Sequence, residues 1–266
     1  MPAELIDTHC HFDDTSFDAD RASALGRARA AGVVAQILPA VDAASWPKLQ
    51  AVADPQQGLH AAYGLHPMYQ PKHRPEHLKW LREWIARERP VAVGESGLDF
   101  YVEGLDRAAQ VDYLVAQLRL AREFDLPVIL HARRALDEVM KQLRRQPGLR
   151  GVVHSFSGSL QQAEQLLAMG FCIGLGGPLT YPRAQRLRGV AASLPVEGLL
   201  LETDAPDQPG ITHRGERNEP AYLDEVLTVL AELRGIDSVT MAAATTANAR
   251  RLFALPENAS IAGSTT

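Results

Sequence analysis

The stretch Leu5-Ile6-Asp7-Thr8-His9-Cys10-His11 starts with apolar residues and leads into two histidines two residues apart. In an extended segment successive side chains alternate between faces, so His9 and His11 point the same way and Cys10 points the opposite way. Two imidazoles on one side of a strand end can chelate one metal ion. The His9–His11 pair becomes strong evidence for a metal site only if later strands bring further ligands to the same place.

Short apolar runs alternate with amphipathic helical stretches along the rest of the chain. Eight strand candidates recur at a mean spacing of roughly 28 residues, and a helical stretch follows each of them. We expect strands at Leu5–His11, Val33–Leu38, His60–Gly64, Val91–Gly94, Val128–Leu130, Val152–Val153, Phe171–Gly174 and Leu199–Leu201. We expect helices near Asp18–Ala31, Ala43–Ala53, Pro75–Glu88, Asp106–Phe124, Ala135–Arg145, Leu160–Met169, Arg183–Ser193, Pro220–Leu233 and Val239–Phe253.

Strict alternation of strands and helices favours parallel strands joined by helical crossovers. Eight such units in 266 residues predict an α/β fold, a single (β/α)8 TIM barrel. A doubly wound open sheet is the alternative, but it would usually carry a glycine-rich turn after its first strand, where this chain has His-Cys-His-Phe-Asp. No linker or internal repeat interrupts the pattern. We therefore expect one domain over residues 1–256 and a frayed polar tail over residues 257–266.

The composition, 46% hydrophobic and 22% charged residues, is that of a soluble globular protein. The net charge of −5 excludes a global attraction to nucleic acid or anionic membranes, so phosphate recognition would depend on local basic clusters. Cys10 and Cys172 are too few for a disulfide framework, and we expect reduced, buried thiols. Without a signal peptide or an apolar run of about 18 residues, we expect a cytoplasmic protein with no membrane partner and no obligate protein partner.

Six of the eight predicted strands end in an imidazole or a carboxylate, at the rim where barrel enzymes place their chemistry. In chain order these groups are Asp7, His9, His11, His66, Glu95, Asp99, His131, His154, Glu202 and Asp204. So many ionisable groups at one rim would be costly unless an ion neutralises and coordinates them. Their convergence therefore predicts a metal centre.

Each of these residues also has a plainer interpretation. A single histidine after an apolar strand is more often a hydrogen-bonded loop residue than a ligand. Glu95 and Asp204, taken alone, are equally typical of helix N-caps or ion-pair partners. The remaining histidines match no strand end, and we expect them in loops or at the surface: His60, His73, His77 and His213.

Several segments together resemble the TatD family of metal-dependent hydrolases, which belongs to the amidohydrolase-like barrels. The matching segments are Asp7–Asp13, Gly64–Pro67, Gly94–Asp99, Leu130–Arg133, His154–Gly158, Glu202–Pro206, and Asn218 with Pro220. The resemblance covers essentially the whole chain in order, and Ser155–Glu164 with Ala205–Asp207 look most like the YjjV branch. Where many members carry an aromatic and a basic residue after Gly-Leu-Asp, this chain has Phe100-Tyr101-Val102-Glu103, which argues against a phosphate contact there.

The resemblance and the chemistry of these residues imply a site for two divalent ions. A pair of ions activates a water and clamps both oxygens of a displacement. We expect one ion to be held by His9, His11 and Asp204 and the other by His131 and His154, with Glu95 bridging the two. Four imidazoles favour zinc, the family resemblance implies magnesium, and manganese is a third option.

Further roles follow for residues beside the expected ions. Asp204 is a candidate general base as well as a ligand. His66, with no ion assigned to it, is expected to bind substrate or stabilise an oxyanion, and a structural loop histidine is the alternative. Asp7 is expected to accept a hydrogen bond from His9 or His11 and so orient that imidazole.

Substrate contacts are expected mainly from basic residues. Arg133 and Arg134 follow His131 directly, and a guanidinium can pair with a phosphate in bidentate fashion. Asn218 is a further candidate from the family motif. Weaker candidates are a basic cluster of Arg183, Arg186 and Arg188, and the glycines of Gly174–Gly177, which would let a phosphate approach the backbone.

The leading hypothesis is a phosphodiesterase acting on DNA ends, an exonuclease-type DNase, as the family resemblance implies. A small phosphoester is the other substrate consistent with it. The alternative is hydrolysis of a small amide, ester or lactone, which the acidic net charge favours and the arginines disfavour. A third hypothesis is a metal-binding protein without turnover. Asp204 and Glu95 argue against it, because a structural site is closed and needs fewer groups.

Overall fold

A computed structural model describes residues 2–256, so the expected tail at 257–266 lies outside the described residues. Eight parallel strands form one sheet in chain order. They are β1 (Leu5–Asp7), β2 (Val33–Pro39), β3 (Leu59–Tyr63), β4 (Ala92–Asp99), β5 (Val128–Arg133), β6 (Gly151–Val153), β7 (Phe171–Leu175) and β8 (Leu199–Leu201).

Helices connect consecutive strands on the outside of the sheet and follow β8. They are α1 (Arg21–Ala30), α2 (Trp46–Val52), α3 (Pro75–Glu88), α4 (Arg107–Glu123), α5 (Leu136–Arg144), α6 (Leu160–Ala168), α7 (Gln185–Ser193), α8 (Leu223–Arg234) and α9 (Ser238–Phe253). Several begin at side chains that cap the free backbone N–H groups of the first turn. Ser159 forms a capping box with Gln162 at α6, and Asp106 accepts two N–H bonds at α4.

The sheet closes almost completely on itself between β8 and β1. The backbone N–H and the hydroxyl of Thr8 both donate to the Leu201 carbonyl at 3.0 Å. The N–H of Asp204 donates to the His9 carbonyl at 2.8 Å. The fold is therefore a (β/α)8 barrel, as the alternation of strands and helices predicted.

The strands bury side chains on both faces, as expected for a parallel sheet covered by helices. Consecutive residues of β8 show the alternation, because Leu199 and Leu201 pack with the helices while Leu200 packs in a second apolar cluster. This second cluster joins side chains from seven strands to the end of α9: Ile6, Ala35, Ile37, Ala62, Ala92, Ile129, Val152, Leu200, Ala249, Leu252, Phe253 and Leu255. We call it the inner core, and it lies below the carboxyl ends of the strands.

Two strands differ from expectation in ways that shape the rim. β1 ends at Asp7, so His9 and His11 lie in the segment after it. β4 continues through Glu95 to Asp99, whereas we expected it to end at Gly94. The extension pairs Gly97 with His131, and a Cβ on Gly97 would lie 2.0 Å from the His131 carbonyl oxygen. Glycine is therefore what lets β4 follow β5 to the rim.

The expectation for the histidines outside the strand ends was partly wrong. His60 lies within β3 and His77 within α3, and both are buried. His73 is also buried, and its Nε2 donates to the His66 carbonyl at 2.9 Å. Of the two free thiols, Cys10 is buried as expected, whereas Cys172 is only half-buried. Across residues 2–256, no helix has the length and apolar character needed to cross a membrane.

Candidate metal centre

Glu95 lies at the centre of the rim, and its two carboxylate oxygens face different imidazoles, although the His9 and His154 rings stack with centroids 3.8 Å apart. Its Oε2 lies 3.2 Å from His9 Nε2 and 3.5 Å from His11 Nε2. Its Oε1 lies 2.7 Å from His154 Nε2 and 3.1 Å from His131 Nδ1. The side chain is only 1% exposed. The structure therefore brings together four histidines from β5, β6 and the segment after β1 around one carboxylate.

Asp204 completes one side of this cluster. Its Oδ1 lies 3.5 Å from His9 Nε2 and 3.7 Å from His11 Nε2. The backbone has a φ of 59° at Asp204, a conformation that turns the chain sharply after β8. Gln208 donates from its side-chain amide to Asp204 Oδ2 and accepts from the Ser155 hydroxyl at 2.9 Å. Gln208 thus holds the carboxylate with Oδ1 turned toward the imidazoles.

The hydrogen bonds of two imidazoles leave a nitrogen lone pair directed at the centre. His11 Nδ1 lies 3.2 Å from the Pro39 carbonyl, to which it can only donate. His131 Nε2 likewise lies 2.9 Å from Asp99 Oδ2. In the neutral tautomers, His11 Nε2 and His131 Nδ1 then present lone pairs to Glu95 oxygens. A nitrogen lone pair and a carboxylate oxygen repel each other unless a proton or a cation lies between them. The arrangement is therefore typical of metal ligands.

His66 differs from the other four imidazoles. Its Nδ1 accepts a hydrogen bond from the Met68 N–H at 3.1 Å, so the neutral ring carries its proton on Nε2. That Nε2 lies 3.0 Å from Glu95 Oε1 and donates to it. Burial lowers the pKa of His66 to about 4, despite the opposing Glu95 charge. His66 therefore belongs to the cluster as a neutral hydrogen-bond donor.

Burial and mutual charges set the protonation of the cluster. Burial alone would raise the pKa of Glu95, but the surrounding imidazoles outweigh it and hold this pKa well below its usual value. Burial lowers the pKa of His9 well below normal. Burial opposes protonation of His154 too, yet the Glu95 carboxylate raises its pKa to about 10. A proton on His154 therefore occupies a position that a metal cation would take.

The donor set fits a metal ion. Imidazole nitrogens and carboxylate oxygens lie within 4.8 Å of one another in three overlapping groups, which are His9 with His154 and Glu202, His9 with His11 and Glu95, and His66 with Glu95 and His131. Buried polar atoms without a hydrogen-bond partner in the described chain include His9 Nδ1, Glu95 Oε2 and His154 Nδ1. Buried polar groups are rarely left unsatisfied, and nitrogen with carboxylate oxygen suits zinc and similar divalent ions. The cluster can therefore hold a metal.

Two carboxylates at the site carry supporting roles that the sequence analysis did not assign. Asp99 accepts from His131 through Oδ2 and from the Tyr101 and Val102 N–H groups through Oδ1, at 2.9 and 3.0 Å. Glu202 Oε1 accepts from the Ser155 N–H at 2.5 Å. Burial raises the pKa of Glu202 to about 8. Asp99 and Glu202 both lie in the strand-end motifs that carry the family resemblance, and that position is the sequence signal that could have identified their roles.

Asp7 and Asn218 support the backbone, contrary to expectation. Asp7 accepts from the N–H and hydroxyl of Thr203 and from the His9 N–H, and it does not contact an imidazole. Asn218 is buried, and its amide donates to the carbonyls of Thr203 and Asp207 at 2.7 and 2.8 Å. It was expected to bind substrate, but both donors are used in holding the loop that carries Asp204.

The cluster lies at the base of an open cavity of about 1210 Å³. Arg133, Arg183 and Arg186 line this cavity, and none of the three forms an ion pair within residues 2–256. Arg188 instead donates a hydrogen bond from Nη1 to the Leu179 carbonyl at 3.1 Å. The glycines at the end of β7 and just after it pack against the segment that follows β8, because a Cβ on Gly174 would lie 2.3 Å from Glu202 Oε2 and one on Gly177 would lie 2.0 Å from the Gln208 carbonyl oxygen. This packing argues against the expected phosphate site.

Comparison with known proteins places this geometry in a family. The family model for TatD-related DNases matches residues 6–254. YjjV of Escherichia coli K12, an uncharacterized metal-dependent hydrolase, is 45% identical over 96% of this chain and 100% of its own length. The crystal structure of YjjV aligns with a TM-score of 0.92 over the same shares of the two chains.

More distant relatives extend the comparison. The 3'-5' ssDNA/RNA exonuclease TatD of Cronobacter sakazakii is 35% identical over 94% of this chain and 97% of its own. A phosphotriesterase homology protein of Escherichia coli, crystallised with phosphate in its active site, shares 14% identity at a TM-score of 0.66, over 95% of this chain and 99% of that one. This last likeness shows a common fold. The chain belongs to the TatD family of metal-dependent hydrolases.

Proposed function

We propose that this protein is a metal-dependent phosphodiesterase that releases nucleotides from DNA ends. The observation that carries the proposal is the Glu95 carboxylate, with one oxygen toward His9 and His11 and the other toward His131 and His154. It lies under an open cavity that is lined by arginines without carboxylate partners. The exonuclease among its relatives supports the same reaction class.

Two divalent ions would be held on the two sides of Glu95. His9, His11 and Asp204 would hold one, and His131 and His154 the other. Ions in such a site lower the pKa of a bound water and stabilise the charge that develops on the phosphate. The four imidazoles favour zinc over magnesium or manganese.

The side chains around these positions supply the proton chemistry and the orientation. Asp204 is the candidate general base, because its Oδ1 faces the imidazoles that would hold an ion and burial raises the pKa of its carboxyl above the ordinary value. Gln208 keeps one Asp204 oxygen occupied, which leaves Oδ1 to accept the proton of the attacking water. His66 carries its proton on Nε2, where it donates to Glu95 Oε1, and it would be the candidate donor to a phosphate oxygen or to the developing negative charge once substrate replaces that partner.

The arginines favour a phosphate over a neutral substrate. The chain carries 32 acidic and 27 basic residues, so carboxylate partners are in excess. Arg133, Arg183 and Arg186 nevertheless remain without an ion pair in the described residues that line the cavity. Arg186 donates to the Ser157 carbonyl at 2.6 Å, and a guanidinium without a carboxylate partner in a concave site is typical of phosphate recognition. An uncharged amide, ester or lactone would gain little from such groups.

Incubating the metal-loaded protein with single-stranded and duplex DNA tests the proposal. We expect release of mononucleotides, and a loss of about 1000-fold or more in Asp204→Ala because base and ligand disappear together. Asp112→Ala, at an exposed position on α4, is the matched control and should keep full activity. Turnover of small esters or lactones without any release from DNA would refute the proposal. Stoichiometric metal without any turnover would refute it equally.

A further inference from the structure

Tyr101 is an exposed aromatic side chain held close to the metal centre. It lies in the segment after β4 and is 46% exposed. The segment is fixed by Asp99, whose Oδ1 accepts the N–H groups of Tyr101 and Val102 while its Oδ2 accepts from His131. One carboxylate thus ties the position of Tyr101 to that of a proposed metal ligand.

Two guanidinium groups stack on this ring. Arg133 Cζ lies 3.8 Å from the Tyr101 ring centroid, and Arg134 Cζ lies 4.6 Å from it. Both arginines are exposed, and within residues 2–256 neither side chain forms a hydrogen bond or an ion pair. Cation–π attraction therefore orients two positive charges without neutralising them.

The pairing of β4 with β5 places Arg133, the member of this stack that lines the cavity, two residues beyond His131. Gly97 pairs with His131 and Asp99 with Arg133 across β4 and β5. His131 and Arg133 are two residues apart on one strand, so they share a face and are separated by about 6.6 Å of strand rise. Arg133 lines the cavity itself. A chain molecule whose phosphate reaches Glu95 and His131 would have its next unit beside Arg133.

We propose that Tyr101, Arg133 and Arg134 form a stacking platform for a nucleobase of a single-stranded substrate end. A stacked guanidinium keeps one free face and its N–H edges, so it can take a base on the face and a phosphate oxygen on the edge. Every base has a π face, so such a platform accepts any sequence. This inference rests on the proposed function and names the form of substrate that the site takes.

The platform has a consequence for duplex DNA. A base that pairs and stacks within a duplex cannot also lie on Tyr101 and Arg133. A duplex end must therefore fray before it enters the site, whereas a single strand binds directly. The platform predicts that single-stranded ends are cleaved with a higher kcat/KM than blunt duplex ends of the same sequence.

Kinetics with Tyr101 variants test the platform on two substrates, oligothymidylate and the same oligomer with abasic nucleotides at its end. For Tyr101→Ala we expect about a tenfold higher KM on the ordinary oligomer, since removing one stacking aromatic costs about that factor, and less than twofold on the abasic one. Tyr101→Phe keeps the stack and should retain KM within about twofold. Trp80→Ala, which removes a 45% exposed aromatic on α3, is the matched surface control. An equal KM increase on both substrates would overturn the proposal.

Arg133→Ala separates charge from stacking. Loss of the guanidinium removes a phosphate contact, so binding of both oligomers should weaken and the salt dependence of binding should decrease by about one unit of slope. Tyr101→Ala should leave that slope unchanged. If the slope of the salt dependence falls equally in Arg133→Ala and Tyr101→Ala, then Tyr101 only positions the arginine charge. The base-stacking assignment would then be wrong.

A binding measurement distinguishes this inference from the proposed function. Fluorescence anisotropy of labelled oligothymidylate, with metal-loaded protein in the Asp204→Asn background, which keeps a side-chain oxygen for the ion, reports affinity without hydrolysis. Binding that depends on Tyr101 and on the base, with no cleavage by the wild type, would support the platform and refute the proposed function. Cleavage by the wild type without any dependence on Tyr101 would support the proposed function and refute the platform. No binding of oligothymidylate at all would overturn the platform.

Discussion

The two ends of the barrel strands carry opposite kinds of side chain on the same backbone. At the lower end, the inner core joins aliphatic residues of seven strands to α9. At the rim, six of the same strands lead into five imidazoles packed around the Glu95 carboxylate, with Asp204 beside two of them. β5 shows the contrast within three residues, because Ile129 belongs to the inner core and His131 faces Glu95.

The difference separates stability from function. Burial of apolar side chains stabilises the fold at roughly 25 cal/mol per Å², whereas buried ionisable groups cost free energy unless they are paired or bind an ion. Asp7 and Glu202 show that cost, since burial raises the pKa of Asp7 to about 7 and that of Glu202 to about 8. The fold tolerates the buried ionisable groups at the rim because apolar burial in the inner core supplies the stability. Substitutions at the two ends should therefore change different measurements.

The largest expected effect is at Glu95. Glu95→Ala removes the only group that faces both sets of imidazoles in the described cluster, so activity should fall by about 1000-fold or more and metal content should decrease. Elemental analysis of the purified variant measures the metal, and release of nucleotides measures activity. Unchanged metal stoichiometry would show that Glu95 does not bridge.

Next in size is a truncation in the inner core. Ile37→Ala on β2, a strand that adds no side chain to the cluster, should lower the free energy of unfolding by about 2–5 kcal/mol by leaving a cavity. Metal content per folded protein should stay that of the wild type. Denaturant unfolding and elemental analysis on one preparation test both. If the Ile37→Ala protein is folded but binds less metal than the wild type, stability and metal binding are not separable between the two ends of the strands.

A smaller effect is expected at His66. His66→Gln keeps a side-chain donor but shifts its position, so kcat should fall by about 100-fold, as when one oxyanion donor is lost. Metal content should not change, because His66 Nδ1 is occupied by the Met68 N–H and Nε2 carries the proton. His131→Ala is the contrasting variant and should lose metal. A His66→Gln protein that loses as much metal as His131→Ala would contradict the assignment of the proton.

The smallest effect is a pH dependence of metal affinity. Glu95 raises the pKa of His154 to about 10, above the ordinary value near 6.5, so the metal-free protein carries a proton there at neutral pH. A metal must displace that proton, so affinity should rise by about tenfold per pH unit between pH 6.5 and 8.5. Competition with a chelator across this range measures it. A flat profile would show that His154 is already neutral.

The strand-end ligands could be predicted because each follows a recognisable apolar run. His131 and His154 come directly after Val128–Leu130 and Val152–Val153, and parallel strands bring their carboxyl ends to one rim. The family motifs predicted how the histidines divide between two ions. In the structure His9 and His11 face one Glu95 oxygen and His131 and His154 face the other, and their roles as metal ligands stay a prediction.

The supporting contacts could not be predicted in the same way. Whether Asn218 meets a substrate or a backbone carbonyl depends on how the loop after β8 folds over Thr203 and Asp207. Gly174 is small because the Glu202 carboxylate lies against it, a contact between two strands that spacing along the chain does not encode. The stack of Arg133 on Tyr101 depends on the register of β4 with β5, which short apolar runs leave open.

Anomalous diffraction from crystals of the zinc-loaded protein tests the central claim most directly, that one carboxylate joins two metal positions at the rim. We predict two anomalous peaks, one beside His9, His11 and Asp204 and one beside His131 and His154, with Glu95 between them. Peaks remote from Glu95, or a fully loaded crystal with no peak among these imidazoles, would contradict it.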